Sequence, residues 1–156
     1  MKKLLLLFVC LAFVMGVSSM NQKDEKIPAA AKTGFAAKFP AAQNVKWGVE
    51  KPGQFEAEFK LNGTQTSVLV DAKGNVLETE ARIKEAELPQ GVKATIAKDF
   101  AGYKIDEIEK AADAKGVTTF EMEAVKGKDK LEISFDSNGK LLAKEPLKEE
   151  KGEKKD

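Results

Sequence analysis

The chain has 156 residues, with 26 lysines and arginines against 25 acids, no histidine and a single cysteine. That balance offers no electrostatic case for nucleic acid or an anionic membrane as partner. The missing histidine removes His-based triads, His–metal sites and the usual switch near neutral pH.

In chain order, residues 1–19 read as a cleavable signal peptide. Lys2 and Lys3 precede an apolar run at residues 4–14, and small residues follow at 16–19. The run is shorter than the roughly 20 residues a membrane-spanning helix needs. Cys10 lies inside it, and Val9 stands where a lipobox wants a small residue, which disfavours a lipoprotein. The expected location is therefore periplasmic or secreted. Losing Lys2 and Lys3 leaves 24 basic against 25 acidic residues, a net charge of −1, and no cysteine for a disulfide. Residues 20–26 form a polar lead-in.

Residues 27–84 make a first unit. Pro28 suits the first turn of a helix, Ala31, Phe35 and Phe39 share one face of it, and Pro40 stops it. Phe55, Ala57 and Phe59 then alternate with Glu56, Glu58 and Lys60, as in a strand with one buried face. Asn62-Gly63 signals a tight hairpin into Thr66, Val68 and Val70, and residues 71–74 turn the chain into Val76 and Leu77.

A charged connector at residues 82–87 leads to a second unit, residues 88–144. Pro89, Val92, Ile96 and Phe100 echo the first helix, with Gly102 as its stop. Phe120-Glu121-Met122-Glu123 echoes Phe55-Glu56-Ala57-Glu58; Lys126-Gly127, Leu131, Ile133, Phe135 and the turn at 136–139 follow in the same order. The fold expected is α+β, a tandem repeat of a helix followed by an antiparallel β-meander of three to four strands, helices packed on one face of the sheet. The strands match at an offset four residues larger than the helices, which puts an insertion at residues 110–116, expected as a loop. Residues 145–156 are a charged tail expected to be disordered.

Little here resembles catalysis. Glu56 with Glu58, and Glu121 with Glu123, place carboxylates side by side on one strand face. Lysines interleave with them and no nucleophile or base is visible, so a solvated face is favoured over a hydrolase or a weak cation site. Asp136-Ser137-Asn138-Gly139 begins like a calcium loop but lacks the closing glutamate, and a glycine turn explains it. We expect no catalytic residues, no metal and no cofactor. Trp47, the only tryptophan, is a recognition anchor or a core residue, the core role being favoured; Tyr103 is a second exposed aromatic candidate. The candidate partner-binding residues are Trp47, Glu56, Glu58, Tyr103, Glu121 and Glu123.

Taken in order, Phe39-Pro40, Val45-Lys46-Trp47, Phe55-Glu56-Ala57-Glu58-Phe59, Asn62-Gly63 and Val70-Asp71-Ala72-Lys73-Gly74 resemble the PepSY-like, β-lactamase-inhibitor-like family of exported bacterial proteins. The resemblance covers most of residues 27–144, though the second unit lacks the tryptophan and the Phe-Pro pair. It implies helix-plus-sheet units similar to those of the β-lactamase inhibitory protein, whose disulfides this chain cannot form. The function expected is a non-enzymatic binding module for an unknown protein or peptide of the cell envelope, with an inhibitor as one form of it. An envelope-stress or structural accessory protein and a weak cation binder are the alternatives.

Overall fold

The computed structural model describes residues 27–147. The expected signal peptide at 1–19, the lead-in at 20–26 and residues 148–156 of the tail expected at 145–156 lie outside the described residues; of that tail, Glu145 and Pro146 belong to the last strand. Helix α1 is Ala29–Lys38; Pro28 precedes it, and Phe39 closes it by donating its N–H to the Phe35 carbonyl at 2.8 Å. Four strands follow: β1 (Gln43–Lys51), β2 (Gln54–Leu61), β3 (Thr64–Asp71) and β4 (Val76–Arg82). A short 3-10 turn, Glu85–Glu87, leads to α2 (Gln90–Asp99), then β5 (Lys104–Asp113), β6 (Thr118–Lys126), β7 (Asp129–Asp136) and β8 (Leu141–Pro146).

These strands form one antiparallel sheet in the order β1-β2-β3-β4-β5-β6-β7-β8. This corrects the expected fold class. The chain is not a tandem repeat of helix-plus-meander units in an α+β arrangement; it is mostly a single eight-stranded sheet with two short helices. The physical reason is edge pairing. A four-stranded meander would leave a row of unpaired N–H and C=O groups on β4. Instead β4 pairs directly with β5, Glu78 opposite Asp113 and Arg82 opposite Glu109, so no edge is left between them. The same pairing corrects the loop expected at residues 110–116: β5 continues through Asp113, and only the turn beyond it leaves the sheet.

Strand alternation decides what lies beneath the helices. Phe55, Ala57, Phe59, Val68 and Val70 meet Ala31 and Phe35 of α1 in one buried cluster. Phe120, Met122, Ala124, Leu131, Ile133 and Phe135 meet Val92 of α2 in a second. Both helices therefore cover the same face. Each is only ten residues long, marginal alone, and is held by this packing.

Glycines seat the helices. A Cβ on Gly34 would fall 2.1 Å from the Gly74 carbonyl oxygen, and one on Gly91 would fall 2.2 Å from that of Asn138. Helix backbone thus rests directly on the β3–β4 and β7–β8 turns. Those turns are shaped by aspartates: the Asp71 carboxylate accepts from the Lys73 and Asn75 N–H groups (2.8 and 2.9 Å), and Asp136 does the same for Asn138 and Lys140 (2.8 and 3.0 Å).

Candidate functional site

The face opposite the helices is built from the alternate residues of every strand. Phe55, Ala57 and Phe59 point to the core, so Glu56 and Glu58 point away from it. The register carries this parity across the sheet. Glu58, Ser67, Glu80, Ala111 and Thr119 form one cross-strand row; Arg82, Glu109, Glu121 and Ser134 form the next. A further row consists of Asp106, Glu123, Glu132 and Glu145, each opposite the next. Acids dominate this face, in a chain whose formal net charge is only +1.

A cleft of about 240 Å³ opens on it, lined by Glu56, Glu58, Gln65, Thr66, Ser67, Glu80, Arg82 and Glu109. Partial burial in this cleft pushes the Glu80 carboxyl up to about 8, helped by the charges of Glu121, Glu109 and Glu78. Burial likewise pushes Glu56 up to about 7, with Glu58 and Glu50 adding repulsion. The Ser67 hydroxyl donates to Glu80 at 3.2 Å and restrains the rise without reversing it. Desolvation also raises Glu109, against the pull of the Arg82 guanidinium, and raises Glu78, with Asp113 contributing. Arg82 is itself ion-paired with Glu107, which sits at positive φ (50°) where β5 bulges against β6. Near neutral pH Glu80 and Glu56 therefore hold protons for much of the time, and a protonated carboxyl donates a hydrogen bond as well as accepting one.

Of the residues singled out from sequence, Glu56 and Glu58 line this cleft, Glu121 lies two strands away from Glu80, and Glu123 stands in the neighbouring acidic row. Glu121 is buried, and the Thr119 hydroxyl donates to it at 3.4 Å. Trp47 is elsewhere. It is opposite Ala57 on the helix side, half-buried, and packs edge-on against Phe35 with ring centroids 5.3 Å apart. Tyr103 precedes β5, packs edge-on against Phe100 at 5.9 Å, and its hydroxyl donates to the Asp129 carboxylate. Neither aromatic joins the acidic face.

Sequence reasoning missed Glu78, Glu80, Arg82 and Glu109. The alternation of Glu78-Thr79-Glu80-Ala81-Arg82 was visible, but only the β4–β5 pairing brings these side chains beside Glu109. Among the described residues, no three carboxylates converge closely enough to hold a metal ion, and no helix is long and apolar enough to cross a membrane.

Solved structures share this fold. A protein described as a "putative periplasmic" one, from Bacteroides eggerthii DSM 20697, superposes with a TM-score of 0.72 at 17% identity, covering 78% of this chain and 89% of its own. A DUF2874 family protein from Bacteroides uniformis ATCC 8492 gives 0.72 at 20% identity over 76% and 88%. A BLIP-like protein from Bacteroides fragilis NCTC 9343 gives 0.69 at 21% identity over 80% and 90%. No curated protein matches the chain. The family model described as "Putative beta-lactamase-inhibitor-like, PepSY-like" matches residues 53–143, from the start of β2 into β8 and so across the cleft, and the chain belongs to that family.

Proposed function

We propose that this protein is an exported, non-enzymatic binding module of the periplasm or cell surface that takes a protein or peptide on the open face of its sheet. The observation that carries this reading is the one-sided cover: both helices pack on one face, leaving eight strands' outward residues as a continuous patterned surface with a cleft at its centre. An antiparallel sheet is stable with one face wet, so the surface is free for recognition. The family description adds enzyme inhibition as the form such binding takes, and the periplasmic description of a structural neighbour supports the location. Raised carboxyls in the cleft are explained by crowding and burial.

A photo-reactive residue at Ser67, on the open face, tests the proposal against one at Thr95, on α2. In intact cells the Ser67 form should cross-link to one discrete partner and the Thr95 form should not. Equal yields at both positions, or none at either, would overturn the assignment to this face. Inhibition of a β-lactamase panel, lost in a Glu56→Lys/Glu58→Lys variant, would identify the partner as the enzyme class the family description names.

A further inference from the structure

The placement of charge on the open face says what kind of partner fits it. We infer that the acidic face receives an extended, lysine- or arginine-rich segment of a partner protein, its cationic side chains entering between the carboxylate rows. The inference rests on the binding reading above and specifies its partner.

Charge complementarity is the first support. Asp106, Glu123, Glu132 and Glu145 stand directly opposite one another across four strands, and of these Asp106 is paired with Lys104. Like charges in facing positions destabilise a sheet, and neighbouring strands are only about 4.8 Å apart. A polycation laid along the row converts that repulsion into attraction. The carboxylates are spread along rows rather than gathered round a point, which suits an extended chain and not a single ion.

The second support is independent of charge. Ser134 is 4% exposed, and its hydroxyl has no hydrogen-bond partner. Ile133 and Phe135, on either side, are fully buried beneath α2, so alternation directs Ser134 to the open face, opposite Glu121. A buried hydroxyl without a partner is uncommon and marks a place where a ligand group completes the bonding. It lies in the floor of the acidic face, one strand beyond Glu121. The chain's own ends do not supply the occupant: residues 20–26 and 148–156 each carry as many acids as lysines.

Fluorescence anisotropy with labelled hexalysine tests this, with hexaglutamate and a Gly-Ser hexapeptide as controls. The wild-type chain should bind hexalysine at low salt and lose at least tenfold in affinity between 20 and 200 mM salt, as screening predicts. Glu123→Gln/Glu132→Gln should weaken binding at least tenfold. Glu85→Gln/Asp99→Asn, which changes net charge equally but off this face, should leave it within twofold. Ser134→Ala should weaken it several-fold without lowering the melting temperature. Equal losses in the two charge-matched pairs would reduce the effect to net charge and overturn the inference. Spermine binding as tightly as hexalysine would overturn it in favour of a small polyamine. No hexalysine binding, beside a partner still cross-linked through Ser67, would overturn the cationic class while leaving the binding module standing.

Discussion

Replacing Glu80 by glutamine should change the pH dependence of stability more than stability itself. The Glu80 carboxyl is pushed up to about 8, first by burial and then by Glu121, Glu109 and Glu78, and Glu56 is pushed up to about 7. An unfolded glutamate titrates near 4.5. Between that value and about 8 the folded chain therefore holds more protons than the unfolded one. Unfolding free energy must fall as pH rises through that window. The stability is fully present below about pH 4.5 and is lost progressively as pH climbs to about 7 and 8. One pK unit corresponds to about 1.4 kcal/mol, but the cleft is open to water and the carboxyls share their repulsion, so the joint effect is roughly 2–3 kcal/mol.

Urea denaturation at pH 5, 6, 7 and 8 is the assay. With an m-value of about 1.5 kcal/mol/M for a domain of this size, the midpoint should drop by about 1.5–2 M from pH 5 to pH 8. Glu80→Gln keeps an oxygen to accept from Ser67 and removes the titrating charge. It should match wild type at pH 5, exceed it by about 1–2 kcal/mol at pH 8, and show the shallower slope. A wild-type midpoint that stays level or rises from pH 5 to pH 8 would refute the reasoning. So would a Glu80→Gln slope equal to that of wild type.

Gly34→Ala and Gly91→Ala should each destabilise by about 1–3 kcal/mol or more, because backbone, not a movable side chain, blocks the new Cβ; thermal melts with Gly48→Ala as control, where nothing lies within 4 Å, check this. Phe35→Ala should lower stability by about 3–5 kcal/mol in denaturant titration, since Phe35 packs against Phe39, Trp47 and Phe59 with ring centroids at 5.5, 5.3 and 5.0 Å. Ser134→Ala should leave stability unchanged or raise it by up to about 1 kcal/mol, because the hydroxyl it removes has no partner in the folded chain.

Local chemistry was legible in the sequence wherever a short period carried it. Asn62 and Gly63 both take positive φ (52° and 84°), as a two-residue hairpin turn requires, and Phe55, Ala57 and Phe59 lie at or below 1% exposure. The family was legible too, because order and spacing persist where single motifs are weak. The fold class was not. Alternation tells which side of a strand is apolar, but β4 reads the same whether its outer edge is solvated or paired. Internal similarity made each half look self-contained, so the β4–β5 pairing that merges all eight strands went unseen. The site suffered from the same omission. Glu56 and Glu58 were noticed as a pair on one strand, and Glu58 and Glu50 do repel Glu56, but Glu109, which adds its charge to both Glu56 and Glu80, reaches the cleft only through this pairing.

The near-neutral total charge then takes on a different meaning. Lys32, Lys38, Lys93 and Lys98 lie on the helices, Lys98 paired with Asp99, while the carboxylate rows lie on the opposite face with Arg82 and Lys104 among them. Such an arrangement gives little net attraction at long range, but carboxylate rows confined to one face orient an approaching cationic partner towards it. Specificity for one face follows without any change in total charge. Protonation works in the same direction. The central carboxyls, Glu56 and Glu80, are pushed up to about 7 and about 8, which limits the repulsion the fold must bear near neutral pH. Arrival of a cation favours their ionised forms, so binding should release protons near neutral pH, and affinity for a cationic segment should rise with pH over the range in which the unliganded fold loses stability.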